Sequence, residues 1–138
     1  AGRCEDLDPE WVYPFSVDRL GECRVLRLEE LFKTLVQDLE RGEEADRVSG
    51  RFHATVASMV AAMCERMREE TGLATVALSG GCFQNRILLR LVVKGLAAAG
   101  FEVLLHRQVP CNDGGLSLGQ AAIAAALRDR GEGGGSCV

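Results

Sequence analysis

The stretch from residue 74 to residue 105 constrains the fold more than any other part of this sequence. Residues 74–78 have the length and the β-branched content of a strand, and residues 83–99 carry apolar side chains at helical spacing. A second strand-like run, residues 101–105, follows Gly100. Because a strand, a helix and a strand joined by short links form a right-handed crossover, we predict an α/β fold in which the two strands are parallel and either adjacent or nearly adjacent.

The turn between the first strand and the helix, Ser79-Gly80-Gly81, is the first candidate site. Glycine permits a positive φ or the close approach of another group, and the first N–H groups of a helix point back into the turn before it. Such a turn favours an anion. Asn85 is predicted to lie in the first helical turn, where its carboxamide can donate to phosphate or hydroxyl groups and accept from them.

A second glycine loop, Asn112-Asp113-Gly114-Gly115, precedes an alanine-rich helix over residues 116–127. Because the carboxyl ends of parallel strands face one rim of a sheet, we expect both loops to converge on a cleft suited to a polyphosphate. The Asp113 carboxylate would suit Mg²⁺ or a harder transition metal. Each loop alone is more simply a tight turn or a helix cap. The sequence matches neither a Walker loop nor a dinucleotide fingerprint. The prediction of nucleotide binding therefore depends on the two glycine loops taken together.

The pattern of the chain before residue 74 predicts a hairpin followed by two amphipathic helices. The predicted ranges are strands 12–17 and 23–28 with linker 18–22, a helix from Leu28 to Leu39 that ends at Gly42, and a helix from about Asp46 to Thr71 that ends at Gly72. The predicted stripe of the first helix is Leu28, Leu31, Phe32, Leu35, Val36 and Leu39, and that of the second is Phe52, Val56, Met59, Val60, Met63 and Met67. Both stripes are expected to face the core.

Composition argues against several classes of protein. With 138 residues, of which 47% are hydrophobic, the chain can build the core of one domain. A net charge of −4 argues against a nucleic-acid partner. The sequence has no recognisable membrane span or secretory signal, which predicts a cytoplasmic protein with no membrane partner. The absence of an initiating methionine suggests a piece of a longer protein.

The six cysteines are not spaced for a zinc knuckle, so reduced thiols are expected. Cys82 leaves one catalytic alternative open. A thiol at a helix N-terminus can act as a nucleophile when a histidine serves as its base, and His53 and His106 are the two histidines of the chain. Nothing in the sequence places either histidine beside Cys82, which reads equally as a small residue flanking the turn.

Three ordered segments, residues 52–57, 79–86 and 109–120, closely resemble the C-terminal end of the HypF carbamoyltransferases of [NiFe]-hydrogenase maturation. The resemblance runs from the Tyr13-Pro14-Phe15 segment to the last helix. Cys82 departs from the family pattern, in which an aliphatic residue is usual, and this speaks against a thiol nucleophile.

The resemblance implies the second half of a domain similar to the tRNA threonylcarbamoyl transferases, with the duplicated actin-like, ribonuclease-H-like (ASKHA) fold. Residues 1–130 would form this subdomain, with a βαβα core after the hairpin and helices, and residues 131–138 a flexible tail. In that family the other half of the domain precedes this part, as do acylphosphatase-like, zinc-finger and nucleotide-transferring modules, which are therefore expected partners.

The resemblance also implies a reaction. Carbamoyl phosphate and ATP give carbamoyl-adenylate, and this domain passes the carbamoyl group to the C-terminal cysteine of HypE on the way to the iron cyanide ligands. Carried over by position, Ser79, Gly80, Gly81, Asn85 and Gly114 contact the nucleotide. Asp113 supplies one metal ligand, and histidines outside this chain, not His53 or His106, complete the site.

The isolated chain is accordingly expected to show little or no turnover. Two alternatives remain open at the level of sequence. One is a docking or scaffold module whose apolar helix stripes cover a partner, and the other is a thiol enzyme built on Cys82.

Overall fold

The computed structural model describes residues 11–129, and its elements follow the order expected from the sequence. They are β1 (Ser16–Leu20), β2 (Cys23–Arg27), α1 (Glu29–Glu40), α2 (Ala45–Thr71), β3 (Thr75–Leu78), α3 (Arg86–Ala98), β4 (Glu102–Leu105) and α4 (Leu116–Asp129). Two short 3₁₀ turns, Gly81–Gln84 and Asp113–Gly115, precede α3 and α4. The flexible tail predicted for residues 131–138 lies outside the described residues.

The predicted hairpin is confirmed, but its turn is shorter than expected. β1 and β2 pair antiparallel with Leu20 opposite Cys23, so only two residues link them and the predicted linker 18–22 is mostly strand. Gly21 has a φ of 63°, which lets the chain reverse within those two residues. Pro14 precedes β1 and does not lie within it, because proline has no N–H to donate to a strand partner.

The buried face of α2 differs from the predicted stripe. Phe52 and Met67 at the ends of that stripe are exposed, and the buried residues are Ala54, Thr55, Ala57 and Met59. α2 packs against α1 and against α3, so its buried surface spans more than one stripe and uses small side chains where helices approach closely. α1 likewise buries only part of its stripe and leaves exposed Phe32, Val36 and Leu39.

Two hydrophobic clusters hold these elements together. The larger joins α2, α3 and the parallel strands and consists of Ala57, Leu78, Leu91, Val92, Leu96 and Phe101. The smaller joins α1 and α2 to the chain before β1 and consists of Tyr13, Leu31 and Met59. α2 contributes to both clusters, so this long helix is the element that connects the two parts of the described fold.

A buried polar network anchors Tyr13 beside the smaller cluster. The Tyr13 hydroxyl donates to Asp38 Oδ2 at 2.9 Å, and Arg51 Nη1 donates to the same oxygen at 2.9 Å. The Arg51 guanidinium lies 4.2 Å from the centre of the Tyr13 ring. The Tyr13 amide donates to Thr55 Oγ1 at 2.8 Å. Asp38 Oδ2 thus accepts from both the phenol and the guanidinium, which allows the carboxylate to be buried beside the core, while Arg51 Nε is buried without a hydrogen-bond partner among residues 11–129.

The network predicts unusual behaviour of this tyrosine in alkaline solution. Burial, and then the hydrogen bond to the Asp38 carboxylate and its charge, raise the pKa of Tyr13 from its ordinary 10.0 to about 12. Because the folded-state pKa is the higher one, this contribution to stability is fully present below pH 10 and is lost as the pH rises towards 12. The loss amounts to roughly 2 to 3 kcal/mol.

Tyrosinate absorbance measures this directly, because Tyr13 is the only tyrosine of the chain. We expect the signal of the folded protein to appear near pH 12 and urea stability to fall between pH 10 and 12. Tyr13→Phe is the control, since it removes this titration and should flatten that part of the stability profile relative to the unsubstituted protein. A tyrosinate signal at pH 10 in the folded protein would contradict the assignment.

β3 and β4 are parallel neighbours joined through α3, as predicted. Their register pairs Thr75 with Glu102 and Leu78 with Leu105, so both strands end at the same level. This parallel pair and the β1–β2 hairpin are separate two-stranded sheets within the described residues. The aligned ends of β3 and β4 place the loops after the two strands at one rim.

The last helix, α4, lies apart from both clusters. Its residues 116–128 are all exposed, including Leu118 at 56% and Ile123 at 56%. Its small residues Gly119, Ala122 and Ala126 therefore make no close packing with the described part of the chain. Among residues 11–129, no helix combines the length and the apolar character needed to cross a membrane.

Candidate functional site

The two glycine loops meet at the rim of the parallel pair, as predicted. The Gly80 N–H donates to the Cys111 carbonyl at 2.6 Å and so links the loop after β3 to the loop after β4. The contact follows from the register, because Leu78 and Leu105 end their strands side by side. The expected convergence on one place is confirmed, but the bond also occupies an amide that was expected to face a ligand.

Gly80 has a backbone conformation that only glycine adopts readily. Its φ of 110° and ψ of 156° lie in the region that is essentially restricted to glycine. A Cβ at this position would meet no atom within 4 Å. Glycine is therefore required by the backbone conformation and not by crowding, and the space above Gly80 is open.

The segment after Gly80 is a 3₁₀ turn, so α3 begins at Arg86 and not at residue 83 as predicted. Asn85 is the N-cap of α3, with a φ of −70° and a ψ of 104°, and does not lie within the first helical turn. Its side chain accepts hydrogen bonds from backbone N–H groups beyond it, which is the usual way for asparagine to end a turn and begin a helix. The amides of Gly81 and Cys82 have no backbone acceptor among the described residues.

The hydrogen bonds of Asn85 restrict what it can offer a ligand. Its Oδ1 accepts from the amides of Ile87 and Leu88, both at 3.1 Å. Its Nδ2 lies 2.8 Å from His53 Nε2. Since an amide oxygen has two lone pairs and an amide nitrogen two hydrogens, one N–H remains. Asn85 can therefore donate to a ligand but not accept from it, which narrows the prediction made from the sequence.

Both histidines of the chain contact the first glycine loop or its cap, which the sequence did not indicate. His53 on α2 bonds Asn85, and His106 after β4 places its Nε2 2.9 Å from Ser79 Oγ. The one signal for His53 in the sequence is that it belongs to the first of the three family-like segments. Its contact with Asn85 spans 32 residues, so only the packing of α2 against α3 reveals it.

The second loop is closed by its own hydrogen bonds. Asn112 Oδ1 accepts from the Gly114 amide at 3.0 Å, and the Asn112 carbonyl accepts from the Gly115 amide at 3.0 Å. A Cβ on Gly114 would lie 3.0 Å from Asn112 Oδ1, and one on Gly115 would lie 3.0 Å from the Pro110 carbonyl oxygen. These two glycines are therefore needed for the tight fold of the loop, and their amides are already paired.

Comparison with known proteins assigns this site to a family. The family model described as carbamoyltransferase, Kae1-like domain, second subdomain, matches residues 4–120. The chain belongs to the HypF carbamoyltransferase family. It is similar to a HypF homolog of Cupriavidus necator, with 42% identity over 119 residues that cover 85% of this chain and 29% of the relative. It is also 46% identical to HypF of Rhodobacter capsulatus over 92 residues, or 67% of this chain and 12% of that protein.

Solved HypF structures share the fold. The crystal structure of full-length HypF in the phosphate- and nucleotide-bound form matches with a TM-score of 0.78 and 38% identity, over 90% of this chain and 16% of that one. The structure of T. kodakarensis HypF matches with a TM-score of 0.65 and 28% identity, over 86% of this chain and 15% of that one. The chain thus spans less than a third of these HypF proteins. The predicted α/β fold of ASKHA type, as part of the HypF Kae1-like domain, is confirmed.

The described residues supply only some of the ligands that the metal predicted for this HypF-like chain would need. Asp113 opens the second 3₁₀ turn, is exposed, and makes no side-chain hydrogen bond or ion pair with the described residues. Its carboxylate is a donor that hard cations prefer. Within residues 11–129, however, there is no group of three or more His, Cys, Asp or Glu side chains that could hold a metal. These residues do not fit a complete metal centre.

The arrangement does not provide a base for the Cys82 thiol. Cys82 is free and exposed in the first 3₁₀ turn. Both ring nitrogens of His53 bond other groups, Ser49 O and Asn85 Nδ2, and His106 Nε2 bonds Ser79. In the described part of the chain, neither histidine is hydrogen-bonded to Cys82, so the pairing that a thiol enzyme needs is not made.

Proposed function

We propose that this chain forms the nucleotide-binding half of a carbamoyltransferase that moves a carbamoyl group from carbamoyl-adenylate to the C-terminal cysteine of HypE in [NiFe]-hydrogenase maturation. The observation that carries the proposal is the meeting of the two glycine loops, through Gly80 and Cys111, at the aligned ends of β3 and β4 in a chain of the HypF family. The nucleotide named for the similar full-length HypF structure supports it. A cytoplasmic location remains a prediction from the sequence.

The polar groups at the rim that have no partner among the described residues determine which hydrogen-bonding groups a ligand needs. The amides of Gly81 and Cys82 and one hydrogen of Asn85 Nδ2 are donors, and the Asn85 oxygen is not available as an acceptor. Ser79 adds a hydroxyl held by His106. A ligand suited to this rim carries oxygen acceptors, as the phosphate and ribose of an adenylate do. The amides of Gly80 and Gly114 are already hydrogen-bonded within the chain, so these two glycines contribute to the site through the backbone conformation of their loops.

The transfer balances without a further reactant. The acceptor thiol loses its proton to solvent, the sulfur attacks the carbamoyl carbon, and the bond from that carbon to the phosphate oxygen of the adenylate breaks. AMP leaves with the electron pair of that bond. Donors aimed at the phosphate stabilise the charge that develops on this leaving group, and this is the contribution that the first glycine loop would make.

Asp113 is proposed as one ligand of a divalent metal whose remaining ligands, histidines, come from outside this chain. Its exposure at the rim and its lack of a partner among residues 11–129 leave the carboxylate available. A metal bound there would neutralise charge on the phosphate oxygens.

A docking or scaffold role is the second candidate, and exposed apolar side chains favour it. α4 presents such side chains along its length, and α1 presents others on its outer face. They are Leu116, Leu118, Ile123 and Leu127 on α4 and Phe32, Val36 and Leu39 on α1. An apolar surface of this kind is typical of a protein contact.

AMP binding separates the two candidates. We expect calorimetry of the complete carbamoyltransferase that contains this chain to show binding of AMP or ATP with Mg²⁺. We expect Gly80→Ala to weaken it by about tenfold or more, because alanine disfavours the φ of 110° and shifts the first loop.

Gly42→Ala is the matched control, since Gly42 also has a positive φ, of 73°, open space around it, and a place at the far end of α1. Both variants should lose stability, on the order of 1 to 3 kcal/mol, but only Gly80→Ala should lose affinity. Absence of heat and of any change in melting temperature with both nucleotides would overturn the nucleotide proposal and favour the scaffold.

A further inference from the structure

The orientation of the Asn85 carboxamide is determined by the backbone of α3. The amides of Ile87 and Leu88 can only donate, so the side-chain atom that faces both of them must be the oxygen. The Nδ2 group is therefore the atom that faces His53, at 2.8 Å from its Nε2. Oxygen and nitrogen of an amide are commonly interchangeable in a structure, but here the hydrogen-bond network allows one assignment.

The same reasoning determines the tautomer of His53. Because Asn85 Nδ2 can only donate, His53 Nε2 must be an unprotonated acceptor. Its Nδ1 then carries the proton and donates to the Ser49 carbonyl at 2.7 Å, and a carbonyl can only accept. The two ends of the ring thus require the same neutral tautomer independently of each other.

His53 acts from an element that is separate from both glycine loops. It is half-buried on α2, one helical turn after Ser49, and α2 packs against α3 through the larger hydrophobic cluster. The chain of bonds from the Ser49 carbonyl through His53 to Asn85 therefore ties the start of α3 to a long, packed helix. The Asn85 side chain therefore has less freedom to rotate than the two capping bonds alone would leave it.

We propose that His53 is a positioning residue for the ligand site of this chain: by accepting from one hydrogen of Asn85 Nδ2, it leaves the second hydrogen directed at the bound adenylate. This inference rests on the proposed function, since the ligand is the nucleotide proposed above. Without an acceptor at position 53, both hydrogens of Nδ2 are unpaired, and the carboxamide plane is set by the two capping bonds alone.

The first test is the effect of two substitutions on AMP affinity in the complete carbamoyltransferase. His53→Leu removes the acceptor and puts an apolar side chain in its place. His53→Gln instead provides an acceptor oxygen close to the position of Nε2. We expect His53→Leu to weaken AMP binding about five- to tenfold with little change in melting temperature, because one partly exposed hydrogen bond contributes modestly to folding. His53→Gln should bind AMP within about twofold of the unsubstituted protein.

The second test reads the tautomer without any ligand. The 138-residue chain has two histidines, so a long-range ¹H–¹⁵N spectrum of the His106→Gln variant reports on His53 alone. We expect the Nδ1–H tautomer at neutral pH. An imidazolium or the Nε2–H tautomer would overturn the inference, because neither can accept from Asn85.

The outcomes of the affinity test separate this inference from the proposed function. If the unsubstituted protein binds AMP and His53→Leu binds it equally well, the positioning role is overturned and the proposed function stands. Equal weakening by His53→Leu and His53→Gln overturns it too, because an acceptor then does not suffice. If the unsubstituted protein binds no AMP, the proposed function fails and the inference fails with it.

Discussion

The proposed carbamoyl transfer to HypE is expected to fall on the order of 100-fold or more when Asp113 is replaced by alanine in the complete enzyme, because the metal proposed to bind there would contribute several kcal/mol to the stability of the transition state. The fold should be unaffected. Asp113 is exposed and makes no side-chain hydrogen bond or ion pair with residues 11–129, so its removal breaks none of the described contacts. Mass spectrometry of the HypE C-terminal cysteine measures the transfer, and thermal unfolding measures the fold.

Asp46→Ala is the matched control for this experiment. Asp46 is also an exposed aspartate close to the start of a helix, but it lies in the first turn of α2, on a different element from the glycine loops. We expect Asp46→Ala to transfer at the normal rate. Unchanged transfer by Asp113→Ala, or an equal loss in both variants, would show that the Asp113 carboxylate does not take part in the reaction.

The largest effect on stability is expected for Leu96→Ala, which should lower the free energy of unfolding by about 3 to 5 kcal/mol. Leu96 is 0% exposed on α3 and belongs to the cluster that joins α2, α3 and the parallel strands. Its replacement removes buried methyl groups and leaves a cavity beside Phe101. Because small domains are stable by only about 5 to 15 kcal/mol, a loss of this size should be evident in urea unfolding of the 138-residue chain.

Leu118→Ala on α4 is the control for the core substitution. It is the same chemical change, also in a helix, but Leu118 is exposed and belongs to neither hydrophobic cluster. We expect it to change the unfolding free energy by less than about 1 kcal/mol. Similar losses for Leu96→Ala and Leu118→Ala would mean that α4 is as well packed as α3, contrary to the structure described.

Much of the local architecture could be predicted because it follows from short-range patterns. Apolar spacing and β-branched residues indicated β3, α3 and β4, and the short links between them required parallel strands. The prediction that α2 ends at Gly72 was correct, because a left-handed backbone conformation at a helix end favours glycine. The aligned ends of the two strands followed from the crossover, and with them the meeting of the glycine loops.

The errors arose where a side chain bonds the backbone or where helices pack from more than one side. The start of α3 was placed too early because the capping role of Asn85 depends on the 3₁₀ turn before it, which apolar periodicity does not reveal. The buried face of α2 was placed on its large side chains, whereas packing against both α1 and α3 buries Ala54 and Ala57. Neither effect is encoded in the spacing of residues along a single helix.

The sequence by itself determined the crossover and its two glycine loops, because steric limits on glycine and the periodicity of apolar residues act over a few neighbouring residues. The family was indicated by the resemblance of residues 52–57, 79–86 and 109–120 to HypF proteins. Only the tertiary structure decided which groups at the rim are still free to bind a ligand. The Gly80 amide is taken by Cys111, and the Asn85 oxygen by its own helix, while His53 reaches Asn85 across 32 residues. Such pairings depend on how α2 lies against α3, and hydrogen bonds act only over about 3 Å, so they exist only once the helices are packed.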